Sequence, residues 1–467
     1  MENTKMSAMP VRKLMLSTGI PMIVSMVLQA VYNIVDSAFV SNMAVGGEQA
    51  LNALTLAFPM QILMVAVGIG TGVGANVLTA KNLGAGDTEK ASRAAGNAEF
   101  MAAVIYAAFL LFGLFGTELY IGSQTSDPET ARMGADYLRI CSVLSFGMSF
   151  FAIYEKLLQA TGHSVYSTIA QTAGAVTNII LDPVLIYGLF GLPEMGVKGA
   201  AYATVIGQIV SFVLALIFHL RVNTAIKNKP GYLKPDLRVI KQIYSVGLPA
   251  IISQALISVM TYGMNLILGG ISAEAVTAYG LFYKVMQFLL FAAFGMRDAI
   301  MPITAYSYGM GDADRIRDSV KYGQLYTFII MLAGTIVLEV FAEPFSALFG
   351  LSGTTSELCV SAMHIISLSF VFAGANIAFQ GVFQALGAGV SSLIISLGRQ
   401  LVFVFPFALL FAGMTGGNAE NAWLVWLTFP IAEVLTAAAA LLLHLRLMRT
   451  KVTDRLAVNG GRAFAGK

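Results

Sequence analysis

The ten residues GAGDTEKASR (84–93) interrupt one long apolar stretch, and GMGDADRIRD (309–318) interrupt another, 225 positions later. Gly84, Gly86, Asp87 and Lys90 of the first copy face Gly309, Gly311, Asp312 and Arg315 of the second. A glycine-rich turn of this sort can cradle a phosphate, but only between a strand and a helix, and with a Lys-Ser/Thr ending that both copies lack. The pattern instead predicts a turn that opens a helix, with Asp87 and Asp312 as N-caps. Working outward, "STGIP" (17–21) returns as "SVGLP" (245–249), and "LLQATG" (157–162) as "VFQALG" (382–387). "FHLR" (218–221) answers "LHLR" (443–446), so His219 and His444 also match at 225. One such match is chance, whereas an ordered series indicates a duplicated chain.

Composition sets the class. Of 467 residues, 57% are hydrophobic and only 11% charged, against about 25% charged in soluble domains. Crossing a bilayer as a helix takes roughly 20 apolar residues. Twelve stretches qualify, near 14–40, 51–79, 94–116, 133–158, 164–188, 196–220, 239–268, 274–303, 318–341, 359–386, 390–413 and 421–446. The first is too long for a cleaved signal and is expected to be retained. The fold class is therefore an all-α integral membrane protein, with twelve transmembrane helices in two pseudo-symmetric six-helix lobes related by a parallel repeat. The expected division is an N-lobe at 1–220, a basic linker at 221–238 and a C-lobe at 239–467. Glycines 68, 70, 72 and 74 in "GIGTGVG" form overlapping GxxxG patterns that permit close helix packing. Cys141 and Cys359 lie in apolar segments and are expected to be buried thiols.

Orientation follows the placement of Lys and Arg. With twelve spans both termini share a side, and 21 of the 28 basic residues fall there, against Arg132 and Lys198 opposite. Both termini and both GxGD turns are expected to be cytoplasmic, in a multi-pass protein of the plasma (inner) membrane.

Charge at mid-membrane depth is costly and calls for a reason. Asp36 shares a helical face with Gln29 and Asn33, and Asp182 shares one with Asn178, with Gln171 two turns earlier. Helices 1 and 5 run outward, so both acids fall in the outer half, and Thr204 of helix 6 reaches a similar level. Two carboxylates with amide and hydroxyl oxygens suit a hard cation such as Na⁺, or a shared proton. The competing reading is that Asp182, beside Pro183, bonds backbone groups freed by a helix break. The second half does not repeat these acids, and position 407, facing Asp182, is Phe407. Helix 7 instead carries the uncharged stripe Gln254, Ser258, Thr261 and Asn265. Lys284, Arg297, Asp298, Glu339, Arg399 and Glu433 are also embedded. Arg297 and Asp298 are expected to pair with neighbouring helices, and Lys284 or Arg399 with Glu433; a cleft-lining role is the alternative. Glu155 and Lys156, near the cytoplasmic end of helix 4, are expected to snorkel to the interface.

The residues resemble the multidrug and toxic compound extrusion (MATE) transporters along essentially the whole chain. The likeness rests on "GIP" in helix 1, "LGAGDTEKA" (83–91), "NIILDPVLIYG" (178–188) and "GVKGAAYAT" (196–204). It implies secondary antiport, in which Na⁺ or H⁺ entry drives expulsion of organic, often cationic and amphipathic, compounds through a cleft between lobes. The positions matching the family's N-lobe cation site are Asp36, Asn178, Asp182 and Thr204. Some branches also use acids in helices 7 and 10, and here those helices carry none in their embedded parts.

The expected function is thus ion-coupled drug export by alternating access. No enzyme activity, cofactor, nucleotide or nucleic acid is expected; the partners are small organic substrates and the bilayer, and a monomer is expected. A lipid-linked precursor flippase remains an alternative through Arg297 and Arg399. An intramembrane transferase would carry clustered acidic metal motifs, and a channel would not need the two-lobe repeat.

Overall fold

The computed structural model describes residues 5–41, 43, 47–348 and 351–453, without the side chains at 32–34, 36–38, 41, 47, 48, 348 and 453. Among these residues the long elements are all helical. They are α1 (Val11–Ser41), α2 (Gly47–Gly84), α3 (Thr88–Phe115), α4 (Pro128–Val143), α5 (Phe146–Ala160), α6 (Ser164–Ile186) and α7 (Val197–Val222), followed by α8 (Leu237–Gly269), α9 (Ala273–Met310), α10 (Ala313–Leu348), α11 (Gly353–Ser367) and α12 (Phe370–Ala385). α13 (Gly389–Leu397) runs through a π-helical turn, Gly398–Val402, into α14 (Val404–Met414), and α15 (Thr428–Leu447) follows the 3₁₀ stretch Ala419–Leu427.

Among the described residues ten helical segments are long and apolar enough to cross a membrane, and two bent pairs, α4 with α5 and α11 with α12, each taken as one span, bring the total to twelve. The sequence reads each bent pair as one straight span. The pairs bend by 48° and 54°, at Leu144-Ser145-Phe146 and Leu368-Ser369-Phe370. Neither break holds proline or glycine. The Ser369 hydroxyl donates to the Ile366 carbonyl at 2.6 Å, the kind of local side-chain bond that competes with the helical ladder.

The doubled GxGD turns are helix starts, as expected. Gly86 and Gly311 adopt φ of 76° and 75°, a left-handed conformation that glycine reaches without steric cost. Asp87 then accepts from the Lys90 amide at 2.9 Å, and Asp312 from the Arg315 amide at 2.9 Å. The Lys90 ammonium hydrogen-bonds to the Asp87 carboxylate and holds it below the usual carboxylate range. Other echoes match in three dimensions as well. Gly162 and Gly387 both have positive φ, and His219 lies 5.1 Å from the Tyr154 ring as His444 lies 5.0 Å from Phe379.

The chain forms two compact units, Val24–Ile251 and Ser7–Ile23 with Ile252 onward. The sequence boundary at 221–238 falls inside the first unit, and the first turns of α1 group with the second. There Arg315 donates to the Met9 carbonyl at 3.0 Å, and Gly295 meets the Ile23 backbone. In the first unit, GIGTGVG uses two faces of α2. Gly68 and Gly72 meet Ala152 of α5, while Gly70 meets the backbone of Gly247 and Ile251 in α8. A Cβ on Gly72 would lie 2.7 Å from the Ala152 carbonyl, so only glycine permits this approach. The stretch between α7 and α8 is tied to α3: the Lys227 amide donates to Ser92 at 2.9 Å and the Asp236 amide to Asn97 at 2.7 Å.

Candidate functional site

The site in the first unit begins with the contact of α6 and α7. Gly174 and Gly207 face one another, and a Cβ on Gly207 would lie 2.7 Å from the Gly174 carbonyl and 3.1 Å from the Asn178 Cβ. This approach brings Asn178 of α6 to Thr204 of α7. The Asn178 amide nitrogen donates to Asp182 Oδ1 at 3.2 Å and lies 3.5 Å from Thr204 Oγ1. The i,i+4 spacing on α6 puts Asn178 and Asp182 on one face, and both are buried, Asp182 with no exposed surface. Asn178 Oδ1 is buried without a hydrogen-bond partner. An unpaired buried carbonyl oxygen costs about 1–3 kcal/mol. A cation coordinating that oxygen would recover it, so the oxygen donors of Asn178, Asp182 and Thr204 fit a hard ion.

α6 runs unbroken past Pro183 to Ile186, and the Tyr187 amide donates to the Pro183 carbonyl at 3.2 Å. A helix break beside Asp182, the competing expectation, is therefore absent. Tyr187 itself donates to the Phe39 carbonyl of α1 at 2.7 Å. Of the supporting face, Gln171 donates to Gln29 at 3.2 Å, and Ser25 donates to Gln171 Oε1. The side chains of Asn33 and Asp36 lie outside the described residues.

Gln29, Gln171, Asn178 and Thr204 share the wall of one cavity, about 740 Å³ including its open mouth. Val65, Met148 and Phe151 supply apolar wall, and Glu155, Gln208 and Ser211 add to its polar part. Glu155 corrects the sequence reading, because neither it nor Lys156 snorkels: Glu155 is 7% exposed and Lys156 not at all. Gln159 bridges them, accepting from Lys156 Nζ at 3.0 Å and donating to Glu155 Oε1 at 2.9 Å. Gly72 on α2 leaves room for the Lys156 stem. The sequence reading put Glu155 at the interface and did not single out Gln208. Their partners at the 225 offset, Gln380 and Glu433, would have marked both as part of a repeated polar layer.

In the second unit the embedded charges are paired. Arg399, on the π-helical turn, donates to Glu433 Oε1 through Nε at 3.0 Å and Nη2 at 2.7 Å. Asn376 donates to Glu433 Oε2 at 2.7 Å. Of the two expected partners for Glu433, Arg399 takes it, and Lys284 is exposed. Arg297 closes on its own neighbour, Nη2 to Asp298 Oδ1 at 3.0 Å, rather than on a neighbouring helix. The stripe on α8 is not gathered into a site: Thr261 donates back to Ile257 at 3.0 Å, Gln254 is half-buried and Asn265 exposed. Glu339 of α10 accepts instead from Ser367 at 2.9 Å and lies 2.6 Å from His364 Nδ1. Both cysteines are buried thiols outside any disulfide, as expected.

Comparison with known proteins agrees with this architecture. The chain is 25% identical to the multidrug export protein MepA of Staphylococcus saprophyticus over 94% of both chains, and 24% identical to MepA of Staphylococcus aureus strain MRSA252 over 95% of both. A solved structure of MATE in complex with MaL6 matches with a TM-score of 0.89 at 24% identity, covering 97% of this chain and 99% of that one. An outward-facing multidrug resistance MATE family transporter of the MOP superfamily matches with a TM-score of 0.89 at 23% identity, with the same coverage. The MatE family profile matches residues 21–184 and 249–410, one block in each half of the repeat. With a family match in both halves of a twelve-span repeat, this chain belongs to the MatE family of transporters.

Proposed function

We propose that this protein is a secondary antiporter that exports organic, cationic amphipathic compounds in exchange for Na⁺ or H⁺. The observation that carries the reading is the fully buried Asp182, bonded by Asn178, which with Thr204 lines a cavity in the first unit. Burial disfavours the charged form of a carboxyl so placed, and an exchangeable cation or proton offsets that cost. Asp36 is proposed as the second acid of this site, and export by alternating access of a cleft between lobes as the transport cycle. The likeness to multidrug export proteins supports drugs or toxins as cargo. A pyrophosphate-headed lipid would need uncommitted basic groups, and Arg399 and Arg297 are engaged by Glu433 and Asp298. Flippase activity therefore has no specific support.

The test is efflux of a fluorescent organic cation in everted vesicles, with Na⁺ and pH varied separately. Asp182→Asn is expected to lose gradient-driven efflux by at least about tenfold, which is about 1.4 kcal/mol. Gradient-dependent efflux at the wild-type rate in Asp182→Asn would overturn the proposal.

A further inference from the structure

The internal repeat places an occupied reference beside the first unit's cavity. At the 225 offset, Phe151, Glu155, Gly174 and Gln208 correspond to Asn376, Gln380, Arg399 and Glu433. The latter four form one buried layer: Arg399 bonds Glu433, Asn376 bonds Glu433, and Gln380 donates to Ser396 at 3.0 Å. The guanidinium of the chain's own Arg399 thus fills that layer. In the first unit the cationic position has become Gly174, and the acid has moved across the layer, from α7 to Glu155 of α5. What lies between these positions is the cavity.

The register of the helices supports the correspondence. Glu155 lies five residues before the end of α5 and Gln171 seven residues after the start of α6, so both sit about two turns from the corner joining these helices. Asn178 is two turns further along α6, about 10 Å at 1.5 Å per residue. The cavity therefore has an acidic end at Glu155 and an amide–hydroxyl end at Asn178 and Thr204, separated by apolar wall from Phe151 and Met148. Lys156 stands behind Glu155, its Nζ 4.0 Å from Oε1. Its stem runs along Gly72 of α2, and it is not among the residues facing the cavity.

We infer that the Glu155 end of this cavity is a subsite for a guanidinium or alkylammonium headgroup, taking the role that Arg399 plays within the second unit. The assignment rests on the export reading for its biological meaning, since it names the class of cargo recognised. Glu155 supplies the charge partner, and the side-chain oxygens of Gln208 and Gln171 supply acceptors. Charge-assisted bonds of this kind are about twice as strong as neutral ones. The second unit, already filled by Arg399, is closed to such a ligand.

The experiment uses the full chain in nanodiscs and two probes with one aromatic body, 4-phenylbutylguanidine and the neutral 4-phenylbutanamide, titrated calorimetrically. Wild type is expected to bind the guanidine at least about tenfold more tightly. Glu155→Gln should remove that preference while leaving the amide within about twofold, and Glu155→Asp should restore part of it. Gln208→Glu, which copies the acid of the second unit, should raise guanidine affinity severalfold. Unchanged guanidine preference in Glu155→Gln overturns the assignment. If Glu155→Gln gives no cooperative melt, Gln208→Glu decides, and an unchanged affinity there overturns it equally. Vesicle efflux separates the two claims. Glu155-dependent binding without gradient-driven efflux leaves the subsite standing and defeats the export reading, whereas efflux with no Glu155-dependent preference does the reverse.

Discussion

Asp87 shows how much one residue does at a turn. Its carboxylate caps α3 and holds the Lys90 ammonium at 2.7 Å, so the residue that ends an apolar run also starts the next. Removing an N-cap costs about 1 kcal/mol. Asp87→Ala is expected to lower the unfolding midpoint in detergent by a few degrees, while wild-type behaviour would refute the cap's role. The pH dependence has a definite sign. The folded carboxyl is held below its ordinary value by Lys90, so its contribution is complete above about 3.9, the unfolded value, and fades as the pH falls through the lower folded value. The difference between wild type and Asp87→Ala should therefore shrink below about pH 4. This capping was legible because Gly-x-Gly-Asp is local chemistry. The burial of Glu155 was not, since a carboxylate two turns from a helix end reads as interfacial until the neighbouring helix is known.

At the scale of elements, the small residues carry the packing. Helices in a bilayer gain little from hydrophobic association and rely on close backbone approach, which GIGTGVG provides on two faces at once. A leucine at Gly72 would drive a side chain into the Ala152 carbonyl and the Lys156 stem. Overpacking of this kind costs about 1–3 kcal/mol. Gly72→Leu should lower the melting midpoint clearly, whereas Gly122→Leu, whose Cβ meets nothing within 4 Å, should leave it unchanged; equal effects would count against the packing role. Twelve spans were legible from hydropathy alone, because each needs its own length of apolar chain. The bends in the fourth and tenth spans were not, although Leu-Ser-Phe marks both. Serine within an apolar run gives a weaker signal than proline, and only the paired occurrence discloses it.

At the scale of the molecule, the repeat was the most legible feature and the apportionment of its halves the least. A duplicated sequence invites a cut at the basic linker, yet the compact units take their first turns from elsewhere: Ser7–Ile23 belongs with the second, and the start of α8, through Ile251, with the first. Hydropathy cannot register this, because a span reads the same whichever neighbours it packs against. Severing the chain between Lys227 and Asn228 tests it. Either fragment alone should aggregate, and co-expression of both should restore a cooperative melt; a stable, monodisperse fragment on its own would contradict the assignment. The same arrangement imposes an order on synthesis. Gly19 packs against Met296, and Gly323 lies within reach of Met15, so the first turns of α1 leave the ribosome about 280–310 residues before these partners. At about 5–20 residues per second they wait roughly 15–60 s. During that time the insertion machinery or the lipid must shelter a segment whose proper company has yet to be translated.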